Sequence, residues 1–247
     1  MHASAFDRFY AGDSLIHRLD PRVKVVVTVL FILSTVLLPD GAWLGFLLSW
    51  GLVLALSALS GLGIDFAFRR SFIALPFALA GLTAIFAIPG TPLAVWTLGP
   101  WTLVATDAGL LRFVSIVIRS WLSVQVAVLL VSTTQFPDVI HALGHLRMPR
   151  LLVAIISFMY RYMFVLVDET MRLLRARVAG NMVGQLFLRS YERSERVYAA
   201  MQARGFDGEI RAMGGRALTA ADWAAFAVVA AGIVALALAG QLVLPRP

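Results

Sequence analysis

The sequence predicts an all-α integral membrane protein, with about five transmembrane helices and a group of amphipathic helices on the cytoplasmic side. Three observations carry this. Hydrophobic residues make up 60% of the 247 and charged ones only 14%, where a soluble globular domain carries about 25% charged. Uncharged apolar runs of membrane-crossing length recur along the chain. The basic residues, twenty arginines and one lysine in a net charge of +7, cluster in blocks between those runs. Together these exclude a water-soluble enzyme, and the length excludes a large multi-domain assembly.

The elements follow in order. The first 20 residues hold Asp7, Arg8, Asp13, His17, Arg18 and Asp20 and no apolar stretch. No cleavable signal peptide is expected, and the first apolar segment stays as a span. Val23–Leu38 is 16 residues with only Lys24 charged, at its edge. Trp43–Leu62, Phe72–Ile88 and Trp223–Leu244 are 20, 17 and 22 residues with no charge. Roughly 20 apolar residues cross a hydrocarbon core, and about 17 can suffice. In lipid every backbone polar group must be paired within the segment, so these are helices. Phe113–Thr133 is a fifth span, apolar except for Arg119, which must face protein or an end of the bilayer because a charge in lipid is costly. Leu151–Val167 is a sixth candidate, apolar except for Arg161.

The arginines decide between five and six. Arg8, Arg18, Arg22 and Lys24 place the N-terminus in the cytoplasm, Arg69 and Arg70 mark an inner turn, and Pro39–Ala42 and Pro89–Thr106 carry no base and lie outside. Arg147 and Arg150 then fall inside, as do the nine arginines from Arg172 to Arg216. A full crossing by Leu151–Val167 would export those nine. It is therefore expected as a tilted, interfacial or partly buried helix that does not change sides, and the C-terminus is expected outside; as a lever joining the membrane and cytoplasmic parts it would turn Arg161 inward. The organisation is a leader with four spans (1–133), two or three cytoplasmic or interfacial helices (134–216) and a last span (217–247). The middle part is too short for a large core of its own.

Little in the chain suggests chemistry. Cysteine is absent, which removes disulfides, thiol catalysis and thiolate metal sites. A Walker-type phosphate loop needs a lysine beside glycines, and the only lysine, Lys24, has no Gly-rich loop. His141 and His145 stand at i, i+4 but with only Asp138 near them in sequence, so they read as interfacial histidines, and Met1-His2 offers too few ligands. No metal site or cofactor is expected. Asp168-Glu169 and Glu192/Glu195 sit among arginines and read as ion pairs, Glu192 with Arg196 at i, i+4. No nucleophile–base–orienter set is visible, and the acidic residues among the arginines argue against nucleic acid.

Leu186–Gly205 is the most informative segment. Leu188, Tyr191, Tyr198 and Met201 fall at intervals of three and seven on one helix face, and Ala203-Arg204-Gly205 ends the helix. Two readings stand side by side. One is an ordinary glycine C-cap with an arginine favoured by the helix dipole. The other is a helix end that docks in a partner's groove, with small Ala203 permitting close approach and Arg204 offering a multi-donor head.

Several segments in this order resemble one family. They are His17-Arg18-Leu19-Asp20-Pro21-Arg22-Val23-Lys24, with Phe6-Asp7-Arg8 and Gly12-Asp13-Ser14 before it; Tyr160-Arg161-Tyr162 followed by Asp168-Glu169; and Phe187-Leu188-Arg189-Ser190-Tyr191-Glu192-Arg193 running into Gln202-Ala203-Arg204-Gly205-Phe206. The chain resembles the transmembrane (T) component of energy-coupling-factor transporters, in particular the CbiQ-like cobalt/nickel branch. The resemblance implies a non-catalytic subunit in a bacterial cell membrane, without cofactor. Its partners are two ATP-binding-cassette ATPase subunits, alike or different, and a membrane subunit that binds the substrate, cobalt or nickel for cobalamin synthesis. It implies two coupling helices, each with an Arg triplet gripped by an ATPase. The second triplet is Ala203-Arg204-Gly205. The first is best matched by Ala176-Arg177-Val178, where Val178 replaces the usual small residue. The connection Ala179–Gln185 is shorter than the family's, so a segment is expected to be missing between about Val178 and Asn181. The alternatives are a T component for another substrate such as a vitamin, an integral-membrane enzyme, and a membrane scaffold that binds no ATPase.

Overall fold

The computed structural model describes residues 9–10, 12–63, 68–74, 76, 81–98, 101–175, 182–206 and 218–242. They divide into two compact units, one of Phe9–Thr134 with Ala217–Pro247, the other containing Gln135–Arg216.

The first unit is the apolar bundle. Ser14 caps α1 (Leu15–Arg18) by accepting from the His17 amide, and Asp20 caps α2 (Pro21–Leu37) by accepting from the Arg22 amide at 2.8 Å. Pro21 suits the first helical position, where no amide donor is needed. α2 and α3 (Trp43–Leu59) have 17 residues each, about 25 Å of helix. α5 (Asp107–Thr133) is longer than the apolar run and starts six residues before Phe113, because Thr106 caps it by accepting from the Gly109 amide at 3.1 Å. α9 (Ala220–Leu242) closes the unit. Phe31, Phe46, Val53, Leu122, Val126 and Ile233 form the centre of a core shared by α2, α3, α5 and α9.

The pattern is inverted relative to a soluble bundle. Thr28, Thr35, Ser49, Ser57, Ser115, Gln125 and Ser132 are buried, while Val29, Leu33, Val36, Leu44, Leu47 and Leu48 are exposed. Small polar residues let helices approach closely in lipid, where apolar side chains lose nothing by facing outward. Arg119 faces protein as expected. Its guanidinium donates to the Leu38 carbonyl at 2.6 Å and to Asp40 Oδ1 at 2.8 Å, and lies 5.8 Å from the centre of the Phe46 ring.

Two parts differ from expectation. Phe72–Ile88 is not one continuous helix. Its described residues form 3-10 turns at Ser71–Ala74 and Gly81–Thr83, a helical Pro76 between them, and the single-turn α4 (Ala84–Ala87). Pro76 removes an amide donor and Gly81 favours no helix, so apolarity alone does not sustain one. Pro89–Thr106, expected as an outer loop, holds an antiparallel hairpin, β1 (Pro92–Leu98) and β2 (Trp101–Thr106), paired from Leu98↔Trp101 to Pro92↔Thr106. Gly109 explains how α4 reaches α5: a Cβ there would lie 2.5 Å from the Ile85 carbonyl oxygen.

One buried polar knot ties four helix ends. Asp222, 2% exposed, accepts from the Asp20 amide (3.0 Å), the Thr219 amide (2.9 Å) and the Thr219 hydroxyl (2.6 Å). Thr219 Oγ1 in turn accepts from the Asp222 amide, a reciprocal cap on α9. Lys24 donates to the carbonyls of Thr133 (3.1 Å) and His17 (3.3 Å), satisfying the C-terminal ends of α5 and α1. The N-terminal ends of α2 and α9 and the C-terminal end of α5 therefore lie at the same end of this unit.

Among the described residues the second unit has three helices, α6 (Phe136–His145), α7 (Arg150–Arg175) and α8 (Met182–Ala203). By length and composition α5 and α7 are both long and apolar enough to cross a membrane. The connection at 176–181, including the Ala179–Gly180 link, lies outside the described residues.

Candidate functional site

The site is built on α7 and α8. Leu151, Ile155, Met159 and Leu166 of α7 are exposed, so the helix presents an open apolar face. Arg161 is exposed rather than turned inward, because the neighbouring ring positions Tyr160 and Phe164 take the contacts: Tyr160 packs on Phe136 at 4.6 Å and on Phe164 at 5.1 Å.

Two turns after Arg161, α7 carries the clasp for α8. Glu169 Oε1 accepts from Arg189 Nη1 at 2.7 Å, and its Oε2 lies 3.3 Å from Arg193 Nη2 and 3.9 Å from Arg172 Nη2. One carboxylate thus meets three guanidiniums, two of them on α8. Charge-assisted bonds of this kind are shorter and stronger than neutral ones. Glu192 and Arg196 pair along α8 at 3.7 Å, as their spacing implies.

Beside the clasp, Phe158, Met159, Tyr162, Val165, Tyr198 and Met201 line an apolar groove of about 560 Å³ between α7 and α8. This divides the sequence-derived face. Tyr198 and Met201 line the groove, whereas Leu188 and Tyr191 stand exposed outside it, 61% and 55% accessible. From α8 the groove is lined by Ser190, Ser194, Val197, Tyr198 and Met201, together with Arg193 and Glu195. Ser190 and Ser194 belong to this lining but carry no apolar signal in the sequence.

The end of α8 is fully formed. Gly205 has φ +77°, its amide donates to the Gln202 carbonyl (2.9 Å), and the Phe206 amide donates to the Met201 carbonyl (3.0 Å). This pair of bonds is the Schellman motif, which needs a left-handed residue where Gly205 stands. Ala203 is the last helical residue and Arg204 the cap, and both are exposed. Among the described residues the Arg204 guanidinium has no hydrogen-bond or ion-pair partner. Ala176, Arg177 and Val178 lie outside the described residues.

Residues 12–213 match the cobalt transport protein family, CbiQ. The chain belongs to this family. The CbiQ-family chain is 30% identical over 228 residues to the energy-coupling factor transporter transmembrane protein EcfT of Lacticaseibacillus paracasei, covering 81% of this chain and 84% of the relative. It is 26% identical over 265 residues to EcfT of Thermosediminibacter oceani, covering 96% and 97%. A further relative is an uncharacterized protein of Methanocaldococcus jannaschii, 27% identical over 226 residues and covering 83% and 76%. The 265 aligned positions exceed the 247 of this chain, so that relative has interior residues with no counterpart here. The CbiQ-family chain is thus an all-α membrane protein of the energy-coupling-factor transporter type.

Proposed function

We propose that this chain is the non-catalytic coupling subunit of an energy-coupling-factor importer. It transmits the closure of two ATPase subunits to a membrane subunit that binds cobalt or nickel. The observation that carries this is the end of α8: an exposed arginine without a partner among the described residues, held at a rigid glycine cap on a helix clasped by Glu169. A groove in an ATPase subunit can take that end without first breaking contacts within α8. Arg177 is the counterpart for the second ATPase subunit. Coupling requires the two helix ends to bind the open and closed ATPase pairs in different geometries.

The orientation proposed is N-terminus inside and C-terminus outside, in the cell membrane, with 135–216 on the cytoplasmic face. The polar knot supports it. Thr133 and Thr219, where the chain leaves and re-enters the first unit, lie at the same end as Asp20 and Lys24, so α7 need not change sides. The metal reading rests on the family description. A second reading, a T component for another substrate, is favoured by the EcfT relatives, whose names carry no metal.

The test is reconstitution of the full chain in liposomes with its ATPase and substrate subunits. ATP-dependent uptake of radioactive cobalt that requires this chain supports the proposal. ATP-dependent vitamin uptake without cobalt uptake selects the second reading. ATP-independent activity of the isolated chain refutes both.

A further inference from the structure

α6 holds a pair of side chains that the transport reading leaves unused. His141 and His145 lie one turn apart, with their rings edge to face at a centroid distance of 4.7 Å. Their Nε2 atoms are 3.2 Å apart. The i, i+4 spacing only puts two imidazoles on one face. The conformation adds that the same nitrogen of each ring, Nε2, faces the other at hydrogen-bond distance.

That separation is the bite of a metal chelate. Imidazole nitrogens bind zinc at about 2.0–2.1 Å, and two such nitrogens separated by 3.2 Å subtend about 100° at the ion, between the tetrahedral and octahedral angles. We infer that His141 and His145 together bind one first-row divalent cation through their two Nε2 atoms. Without metal, one Nε2–H donates to the other Nε2. On binding, that proton leaves Nε2 and the ring takes one from solvent on Nδ1, so both Nε2 lone pairs face the ion and no net proton is lost.

The surroundings suit this. His145 is exposed and His141 partly so, so an ion has access. Both stand in the second half of α6, where the helix dipole favours a cation. Among the described residues no group of three histidines, aspartates or glutamates could hold an ion. Water therefore completes the shell, which makes this a site for exchange rather than a structural site with a closed shell. The inference concerns α6 alone and does not depend on the transport reading.

The experiment uses the full chain purified in detergent with a tag that contains no histidine. Nickel is titrated calorimetrically, and copper(II) is added for electron paramagnetic resonance. The expected result is one ion per chain, with a superhyperfine pattern from two nitrogens. Affinities should rise from cobalt through nickel to copper and fall again at zinc. His141→Ala and His145→Ala should each weaken nickel binding roughly tenfold or more, because the second ligand no longer binds intramolecularly. His145→Gln should do the same with the surface kept polar, and His2→Ala should change nothing. The inference is overturned if the double variant His141→Ala/His145→Ala, with unchanged helical circular dichroism, binds nickel as the wild type does, or if copper shows no nitrogen pair.

Discussion

Arg204 and Gly205 are adjacent, yet the structure assigns them separable effects. Arg204 is exposed without a partner among the described residues, so Arg204→Ala should leave the fold within about 0.5 kcal/mol of wild type. In the assembled transporter the same change removes charge-assisted hydrogen bonds worth roughly 1.5–3 kcal/mol. That is about a 10- to 150-fold loss of affinity for the ATPase subunits. Gly205→Ala keeps the guanidinium but places a Cβ at φ +77°, at a cost of about 1–2 kcal/mol. No atom lies within 4 Å of that Cβ, so the cost is conformational and not a clash. It should loosen the cap and weaken ATPase binding by roughly 5- to 30-fold. Asparagine tolerates the left-handed conformation better than alanine, so Gly205→Asn should recover part of the loss. Binding of purified ATPase subunits to the chain in nanodiscs, measured alongside thermal unfolding, separates the cases. Arg204→Ala binding like wild type would refute the reasoning. So would an equal loss of thermal stability in Arg204→Ala and Gly205→Ala, because Arg204 would then be holding its own fold together.

Other positions give independent checks. Arg147 sits at φ +67° past the end of α6, so Arg147→Gly should relieve strain and stabilise that helix end by about 1 kcal/mol, read as slower amide exchange at Met148. Gly109→Ala should drive the Ile85 and Ala84 carbonyls off α5 and cost about 1–3 kcal/mol through overpacking, seen as a lower unfolding temperature in detergent. Asp222→Ala should strip the acceptor from the buried Asp20 amide and the partly buried Thr219 amide, at about 1–3 kcal/mol for the buried group. Its measure is the yield of folded protein in membranes, and Asp222→Asn should keep part of it.

The long apolar runs of α2, α3, α5 and α9 were legible because their sequence carries almost no charge to interrupt them. The broken stretch between Phe72 and Ile88 was not, because hydropathy is blind to what Pro76 and Gly81 do to backbone hydrogen bonding. The hairpin at Pro92–Thr106 left a signal that an absence of charge does not weigh: β-branched and aromatic residues on both sides of Gly99-Pro100. The glycine cap after α8 could be read directly, since a left-handed residue is a local requirement. The clasp could not. Glu169 meets Arg189 and Arg193 across 20 and 24 positions, and nothing in either segment alone specifies the other. Of the expected face Leu188, Tyr191, Tyr198 and Met201, the last two line the groove and the first two stand outside it. A four-residue match to a face does not separate the residues that line the groove from those beside it, and the lining includes Ser190 and Ser194, which an apolar pattern passes over.

Because the chain has no cysteine, Ala203→Cys gives a single thiol at the tip of α8. In membranes containing the whole transporter, a short thiol-reactive cross-linker at this position should join the chain to an ATPase subunit, and the yield should change when ATP is bound. If instead the thiol reacts freely with a water-soluble maleimide in the assembled complex and no ATPase is captured in any nucleotide state, α8 is not the element the ATPases hold.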